Sequence, residues 1–225
     1  MLDLPPRTYE TIRVDLTDEQ KNMYKSLRDH FIAEHKNSVI TAPVMLTRLM
    51  RFSQITAGFY KNVEGKEVSY DTNPKQEWLI TWLKEHGHKT VVFVRFIKEL
   101  HDLEGRLGSA GISFVSVYGE TRDRLGAVGR FNSSPETQVF IGQIDTAGAG
   151  INLQSSSYCV FLSNSYSYGD REQAESRIHR SGQLAKNCTY LDIIARESID
   201  ERILSILKKK ESLAQMLTSD VLKIV

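Results

Sequence analysis

From Asn73 onward, the sequence alternates short apolar runs with segments that carry helix signals. The run TVVFV at 90–94 is almost continuously apolar, which is typical of a central strand buried on both faces. Further strands are predicted at 113–117, 138–142, 158–162 and 189–194. Strands separated by helices indicate repeated β-α units around a mostly parallel sheet. The alternation therefore predicts a three-layer α/β domain.

Helix signals fill the intervals between these strands. Asn73 and Pro74 are typical of a helix cap and first turn, and Gly87 can end that helix. The other predicted helices are 97–108, 121–131, 170–181 and a long final helix, 198–217. Right-handed crossovers bring the carboxyl ends of parallel strands to one edge, so we expect ligands to bind in the loops there.

The first 73 residues follow a different pattern. Thr17 and Gln20 form a T-x-x-Q capping box at the start of an amphipathic helix, 17–36. A second helix is predicted at 42–55, and a loop or short hairpin at 58–73. We therefore divide the chain into an N-terminal helical segment, 1–73, and an α/β domain, 74–225.

Composition excludes several classes of protein. Hydrophobic residues make up 40% of the 225 residues and charged residues 25%, an ordinary globular balance. No apolar run approaches the roughly 20 residues that cross a bilayer, so we expect no membrane partner and a cytoplasmic location. Twenty-nine basic residues against 28 acidic ones leave a charge of +1, so any nucleic-acid contact must be local. Cys159 and Cys188 are predicted to be buried thiols.

Two segments could carry chemistry. The segment 146–153, TAGAGINL, places Gly148 and Gly150 after a predicted strand. Glycines there allow backbone amides to approach a phosphate or ribose, although the pattern alone also fits a tight strand-to-helix turn. Both interpretations stay open.

The second segment lies on the helix predicted at 170–181. Gln173, Arg177 and Arg180 have helical spacing that places them within about 60° of one another around the axis. Like charges on one face repel unless an anion lies between them, and arginine has a donor geometry suited to phosphate. The alternative is a solvated face relieved by nearby carboxylates at 170, 172 and 175. His179 is predicted to be packed or solvated, and no metal site is predicted.

No phosphate-binding loop of the form G-x-x-x-x-G-K-[ST] is found. Lys89 and Thr90 follow His88 rather than a glycine, and they precede a strand instead of following one. The chain is therefore not expected to hydrolyse a nucleotide by itself.

Taken in order, these segments resemble the C-terminal RecA-like lobe of superfamily 2 helicases, and specifically of Swi/Snf-type DNA translocases. The resemblance covers most of the chain. Its motifs are 89–96 (motif IV), 118–132, 146–153 (motif V), 173–183 (motif VI), 198–213, and 4–24, which is similar to the tail of the family's N-terminal lobe.

The resemblance implies a RecA-like three-layer sandwich and a role for each motif. ATP and Mg²⁺ would be held mainly by an N-terminal RecA-like lobe of the same polypeptide. Arg177 and Arg180 would be arginine fingers, with Arg180 reaching the γ-phosphate. The remaining implied contacts are Gln173, Gly148, Gly150 and Asn152 with the nucleotide, and Thr121 and Thr146 with DNA.

The implied function is the second motor lobe of an ATP-dependent helicase or translocase on double-stranded DNA. Such a protein would work at the nucleoid in a microbe and in the nucleus of a eukaryote. One alternative is a RecA-like module that binds nucleic acid or protein without catalysis. Another is a stand-alone nucleotide-binding domain of flavodoxin-like type.

Overall fold

The computed structural model describes residues 4–37, 41–145 and 150–210. In chain order the elements are β1 (Arg7–Val14), α1 (Asp18–Asn37), α2 (Ala42–Ala57), β2 (Phe59–Lys61), β3 (Glu67–Ser69), α3 (Pro74–His86), β4 (Thr90–Val94), α4 (Ile97–Ser109), β5 (Phe114–Val117), α5 (Arg124–Ser133), β6 (Val139–Gln143), β7 (Tyr158–Phe161), α6 (Tyr168–Glu175), β8 (Cys188–Ala195) and α7 (Ile199–Lys209). Within the described ranges, no helix has both the length and the apolarity to cross a bilayer.

Six strands form one parallel sheet in the order β1-β8-β7-β4-β6-β5. Strands β2 and β3 form a separate antiparallel hairpin. The predicted α/β fold with a mostly parallel sheet is confirmed. Because all six strands run the same way, their carboxyl ends lie along one edge of the sheet and their amino ends along the other.

The five predicted strands are confirmed, and each boundary lies within one residue of its predicted position. Helices α1 and α2 and the hairpin of β2 and β3 agree with the predictions for 1–73, but strand β1 was not predicted. Its residues are mostly exposed because the strand lies at the sheet edge, and it pairs with β8 from Arg7↔Cys188 to Val14↔Ala195. The N-terminal segment thus contributes a strand to the same sheet as the α/β domain.

Alternating side chains of the central strand pack against different helix layers. Val91 and Phe93 on β4 belong to a cluster with residues of α5 and α6. Val92 and Val94 belong to a second cluster with residues of α3 and α4. Helices α1, α2 and α7 form a third apolar cluster beside the sheet, which includes Phe31. Both predicted thiols, at positions 159 and 188, are buried and unpaired.

Local sequence signals account for several helix boundaries. The Gln20 amide nitrogen donates to Thr17 Oγ1 at 3.2 Å, and the Thr17 amide donates to Gln20 Oε1 at 3.1 Å, which confirms the capping box. Asn73 caps α3 by accepting from the Gln76 amide, and its own Nδ2 donates to Ala57 O at 2.9 Å. Asn73 therefore also fixes the end of α2 against the start of α3. For the final helix, predicted at 198–217, positions 211–217 lie outside the described residues.

A buried polar cluster connects α2, α3, α4 and α7 at the carboxyl ends of β4 and β7. Lys75 Nζ donates to Asp200 Oδ2 at 2.9 Å and to the Leu162 carbonyl at 2.7 Å. Thr56 Oγ1 donates to the other oxygen of Asp200 at 2.7 Å. Asp200 thus does more than complement the dipole of α7, because it neutralises a buried lysine.

Glu99 belongs to the same cluster and accepts a hydrogen bond from Ser163 Oγ. Burial raises the pKa of Glu99 from 4.5 to about 7, even though Lys75 and Ser163 favour its charged form. The folded state therefore holds this proton more tightly than the unfolded chain does. The stabilisation from protonated Glu99 is complete below about pH 4.5 and is lost as the pH rises through about 7.

Glu99→Gln should flatten this pH dependence, because glutamine does not ionise. Between about pH 5 and about pH 8, the wild type should lose on the order of 2 kcal/mol of unfolding free energy through Glu99, and the variant should not lose it. Urea denaturation at both pH values measures the difference. Glu85→Gln, at an exposed position of α3, is the control. Identical pH slopes for wild type and Glu99→Gln would contradict the assignment.

Candidate functional site

The two predicted arginine fingers lie on a turn rather than on a helix. Helix α6 ends at Glu175, so the prediction of a helix through residue 181 is wrong. The Arg177 amide donates to the Ala174 carbonyl at 3.1 Å in a tighter turn, and Gly182 adopts a left-handed φ of 95°. We call residues 176–182 the arginine turn. Because Arg177 and Arg180 lie beyond the helix, the directions of their side chains do not follow from the helical spacing predicted from the sequence.

The two guanidinium groups nevertheless influence each other. Arg177 is half-buried and Arg180 is exposed. Burial, and then the positive charge of Arg180, lower the pKa of Arg177. The buried Nε of Arg177 has no hydrogen-bond partner in the part of the chain that the structure describes. Such a donor is costly to leave unpaired.

The nearby carboxylates do not neutralise these arginines. Glu175 accepts hydrogen bonds from other residues, Glu172 accepts from a tyrosine, and Asp170 accepts from a serine. Across residues 4–37, 41–145 and 150–210, no carboxylate lies within ion-pair distance of Arg177 or Arg180. The carboxylates at 170, 172 and 175 therefore form no ion pair with these arginines, and Arg180 is exposed to solvent.

Beneath the arginine turn lies a buried ion-pair network around Arg171, which was not predicted. Its Nε donates to Glu175 Oε1 at 2.7 Å, its Nη2 donates to Asp192 Oδ2 at 3.1 Å, and its Nη1 reaches the other oxygen of Asp192. Asn164 Oδ1 accepts from Arg171 Nη1 at 3.0 Å. The guanidinium carbon lies 3.5 Å from the centre of the Phe161 ring.

The charges of this network compensate one another. Burial alone would lower the pKa of Arg171, but the carboxylates of Asp192 and Glu175 raise it above its ordinary value. The Arg171 side chain is 6% exposed and that of Asp192 is 3% exposed, so neither charge is solvated. Removing one partner would leave the others as buried, unpaired charges.

The segment of motif V runs beside the arginine turn. The Leu153 amide donates to the Arg177 carbonyl at 3.0 Å. Asn152 Oδ1 accepts from the Gln154 amide at 3.2 Å, and the Asn152 carbonyl accepts from Asn132 Nδ2 at 2.8 Å. Gly150 has a left-handed φ of 63°. Thr146 and Gly148 lie outside the described residues.

Gln183 closes the other side of the arginine turn. Its Nε2 donates to the Ser156 carbonyl at 2.8 Å and to the Ile178 carbonyl at 3.0 Å. Gln183 was not singled out from the sequence, although it ends the motif VI segment. Gln173 is exposed on α6, and its carbonyl accepts from Ser176 Oγ at 2.7 Å.

Thr121 lies apart from these residues, just beyond the carboxyl end of β5. Its hydroxyl accepts from the Tyr118 amide at 3.0 Å, and its own amide donates to the Tyr118 carbonyl at 3.0 Å. Arg122 next to it is exposed, and Arg124 donates to the Gly119 carbonyl at 3.0 Å. These two arginines were not among the predicted DNA contacts. The pattern T-R-D-R at 121–124 is a sequence signal that could have made them candidates.

The arginine turn lies at the opposite edge of the sheet from Thr121. His179 Nε2 lies 2.8 Å from the carbonyl of Pro5, which precedes β1, and Gln183 contacts Ser156, which precedes β7. The arginine turn therefore lies at the amino edge of the sheet, whereas we expected ligands to bind at the carboxyl edge. Helix α6 starts after β7, at the carboxyl edge of the sheet, and ends near the amino ends of the strands. The arginine turn, which follows α6, therefore lies at the amino edge.

His179 is packed, as predicted, since both of its ring nitrogens have hydrogen-bond partners. Among the residues with described positions, no group of three His, Cys, Asp or Glu side chains could hold a metal ion.

Comparisons with known proteins agree with this architecture. Residues 74–182 match the family model described as the helicase conserved C-terminal domain. The fold is similar to that of the C-terminal part of the Fun30 ATPase domain, with a TM-score of 0.81 and 19% identity, over 98% of this chain and 97% of that one. Residues 74–182 are therefore similar to helicase C-terminal domains, and the chain shares its fold with the C-terminal part of the Fun30 ATPase domain.

Two further similarities are to longer proteins. It matches a Sulfolobus solfataricus SWI2/SNF2 ATPase core solved with double-stranded DNA, with a TM-score of 0.74 and 21% identity, over 96% of this chain and 47% of that one. It is 26% identical over 235 residues to Protein CHROMATIN REMODELING 4 of Arabidopsis thaliana. The match covers 96% of this chain and only 10% of the length of that relative.

Arg171→Met should destabilise the fold by about 3–5 kcal/mol, because it leaves buried carboxylates without their partner. The control is Arg130→Met, which removes an arginine from a pair with side chains 61% and 70% exposed. That change should cost less than about 1 kcal/mol. Urea denaturation measures both variants. Equal effects would show that the Arg171 network adds no more than a surface pair.

Proposed function

We propose that this chain is the second motor lobe of an ATP-dependent translocase on double-stranded DNA. In this proposal an N-terminal RecA-like lobe of the same polypeptide holds ATP and Mg²⁺, and the arginine turn completes the nucleotide site. The observation that supports it most is the pair formed by Arg177 and Arg180, which has no carboxylate partner among the described residues.

The chemistry of the arginine turn suits a transferring phosphoryl group. Negative charge accumulates on phosphate oxygens during hydrolysis, and a guanidinium stabilises it with forked hydrogen bonds. Arg180 is exposed and so can reach a γ-phosphate on another lobe. Arg177 is half-buried, and an anion near the two guanidinium groups would offset its repulsion with Arg180.

The other nucleotide contacts belong to the same surface in this proposal. Asn152 is held beside the arginine turn through the contact of its neighbour Leu153 with the Arg177 carbonyl. Gly150 lies two residues before Asn152, and we propose that Gly148 also contacts the nucleotide. Gln173 lies on α6 before the turn and would contact the nucleotide. ATP would thus be enclosed between the two lobes when they close.

We propose that DNA follows the opposite edge of the sheet. Thr121, together with Thr146, would bind phosphates of the tracked strand, with Arg122 and Arg124 adding positive charge there. Few local phosphate contacts suit a chain whose net charge is only +1. The similar SWI2/SNF2 core in complex with double-stranded DNA supports this choice of partner. Such a motor would work in the nucleus of a eukaryote or at the nucleoid of a microbe.

Arg180→Ala in the full-length protein should lower DNA-stimulated ATP hydrolysis by about 10²–10³-fold, because the transition state loses a guanidinium. The control is Arg196→Ala, which removes an exposed arginine at the carboxyl end of β8. Steady-state phosphate release measures both rates. If Arg180→Ala stayed within about threefold of the wild type, the motor role would be wrong, and a non-catalytic binding module would account for the chain better.

Replacing both Arg122 and Arg124 by alanine should weaken DNA binding at the carboxyl edge. If each arginine neutralises a phosphate, the slope of log K against log salt concentration should fall by about 2. Fluorescence anisotropy with labelled duplex DNA measures this slope. Arg130→Ala on the same helix is the control. An unchanged slope in the double variant would exclude this edge as the DNA track.

A further inference from the structure

The exposed strand β1 contacts the arginine turn through its first residue. Arg7 Nη1 donates to Glu175 Oε2 at 3.2 Å, and Arg7 Nη2 lies 2.8 Å from His179 Nδ1. Glu175 ends α6, and His179 lies between the two arginine fingers. The Arg7 guanidinium therefore connects Glu175, directly before the turn, with His179 at the centre of the turn.

The bonding of His179 fixes the direction of these contacts. The Pro5 carbonyl can only accept, so His179 Nε2 carries the hydrogen and donates to it at 2.8 Å. In the neutral ring Nδ1 is then an acceptor, and it accepts from Arg7. Both ring nitrogens are thus bonded to the segment 5–7.

Tyr9 adds a second contact from the same strand. Its hydroxyl donates to Glu175 Oε2 at 2.7 Å, and its ring stacks on Tyr190 with centroids 5.1 Å apart. The Tyr190 hydroxyl in turn donates to the Glu175 carbonyl at 3.1 Å. Glu175 is therefore held through its carboxylate by β1 and through its backbone by β8.

We infer that Arg7 and Tyr9 are positioning residues, which hold the arginine turn in the orientation that Arg177 and Arg180 need. This inference rests on the proposed function for its catalytic consequence. Pairing with β8 does not require either side chain, since the backbones of the two strands pair along the whole of β1. The Arg7 side chain is 34% exposed, whereas Glu175 is 9% exposed and keeps its ion pair with Arg171, so loss of Arg7 should reduce global stability less than loss of Arg171. The effect of Arg7 should appear in the position of the turn, where small displacements reduce the rate strongly.

Hydrogen exchange tests the contact without any nucleotide. In Arg7→Met, the hydrogen-bonded amides of Arg177, His179 and Gln183 should exchange about tenfold faster than in the wild type. The matched control is Arg13→Met, which removes an arginine from the same strand, where it pairs with Glu201 at 3.7 Å. Equal exchange in Arg7→Met and Arg13→Met would overturn the inference.

Kinetics in the full-length protein test the consequence. Arg7→Met should lower the kcat of DNA-stimulated ATP hydrolysis about tenfold, with the melting temperature within a few degrees of the wild type. Combined with Arg180→Ala, it should cause no further loss, because it acts through the turn that Arg180 occupies. A loss by the same factor in both backgrounds would indicate damage elsewhere and contradict a positioning role.

The two proposals fail in different ways. A normal rate in Arg180→Ala would overturn the motor function, whatever Arg7 does. Even then, faster amide hydrogen exchange in Arg7→Met, but not in Arg13→Met, would support the conclusion that Arg7 of β1 positions the arginine turn. A large effect of Arg180→Ala together with wild-type kinetics in Arg7→Met would leave the motor function standing and overturn the positioning role.

Discussion

The buried guanidinium of Arg171 is the constraint around which the candidate site is arranged. A charge taken out of water must be compensated within the protein, and here Asp192 on β8 and Glu175 at the end of α6 compensate it. This pairing fixes α6 against the sheet and occupies the carboxylate nearest the arginine turn. Arg177 and Arg180 are therefore left without an acidic partner among the described residues, although their sequence neighbourhood is rich in acidic residues.

The strands separate the two edges at which we propose DNA and nucleotide binding, and helix α5 connects those edges. Helix α5 begins shortly after Thr121, at the carboxyl edge of the sheet. Near its other end, Asn132 donates to the carbonyl of Asn152, whose neighbour Leu153 donates to Arg177. A continuous chain of packed elements therefore joins the proposed DNA track to the proposed nucleotide surface. Parallel topology makes this separation possible, because helices such as α5 and α6 run back across the sheet.

The sequence was most informative where burial is local and complete. Strand 90–94 is buried on both faces and reads as an apolar run, and the Thr17 capping box needs only neighbouring residues. Strand β1 gave no such signal, because its exposed residues become a strand only by pairing with β8, far along the chain. The end of α6 was missed for a similar reason. Its helical pattern continues past Glu175, but contacts with β1, β8 and Leu153 divert the backbone there.

The central claim is that Arg180 reaches the phosphate of a nucleotide held by another lobe. The most direct measurement is a structure of the full-length protein with duplex DNA and an ADP complex that mimics the transferring phosphoryl group. A guanidinium nitrogen of Arg180 should lie within about 3 Å of an oxygen or fluorine of that mimic. A closed complex in which Arg180 points to solvent, and another residue contacts the mimic, would contradict it.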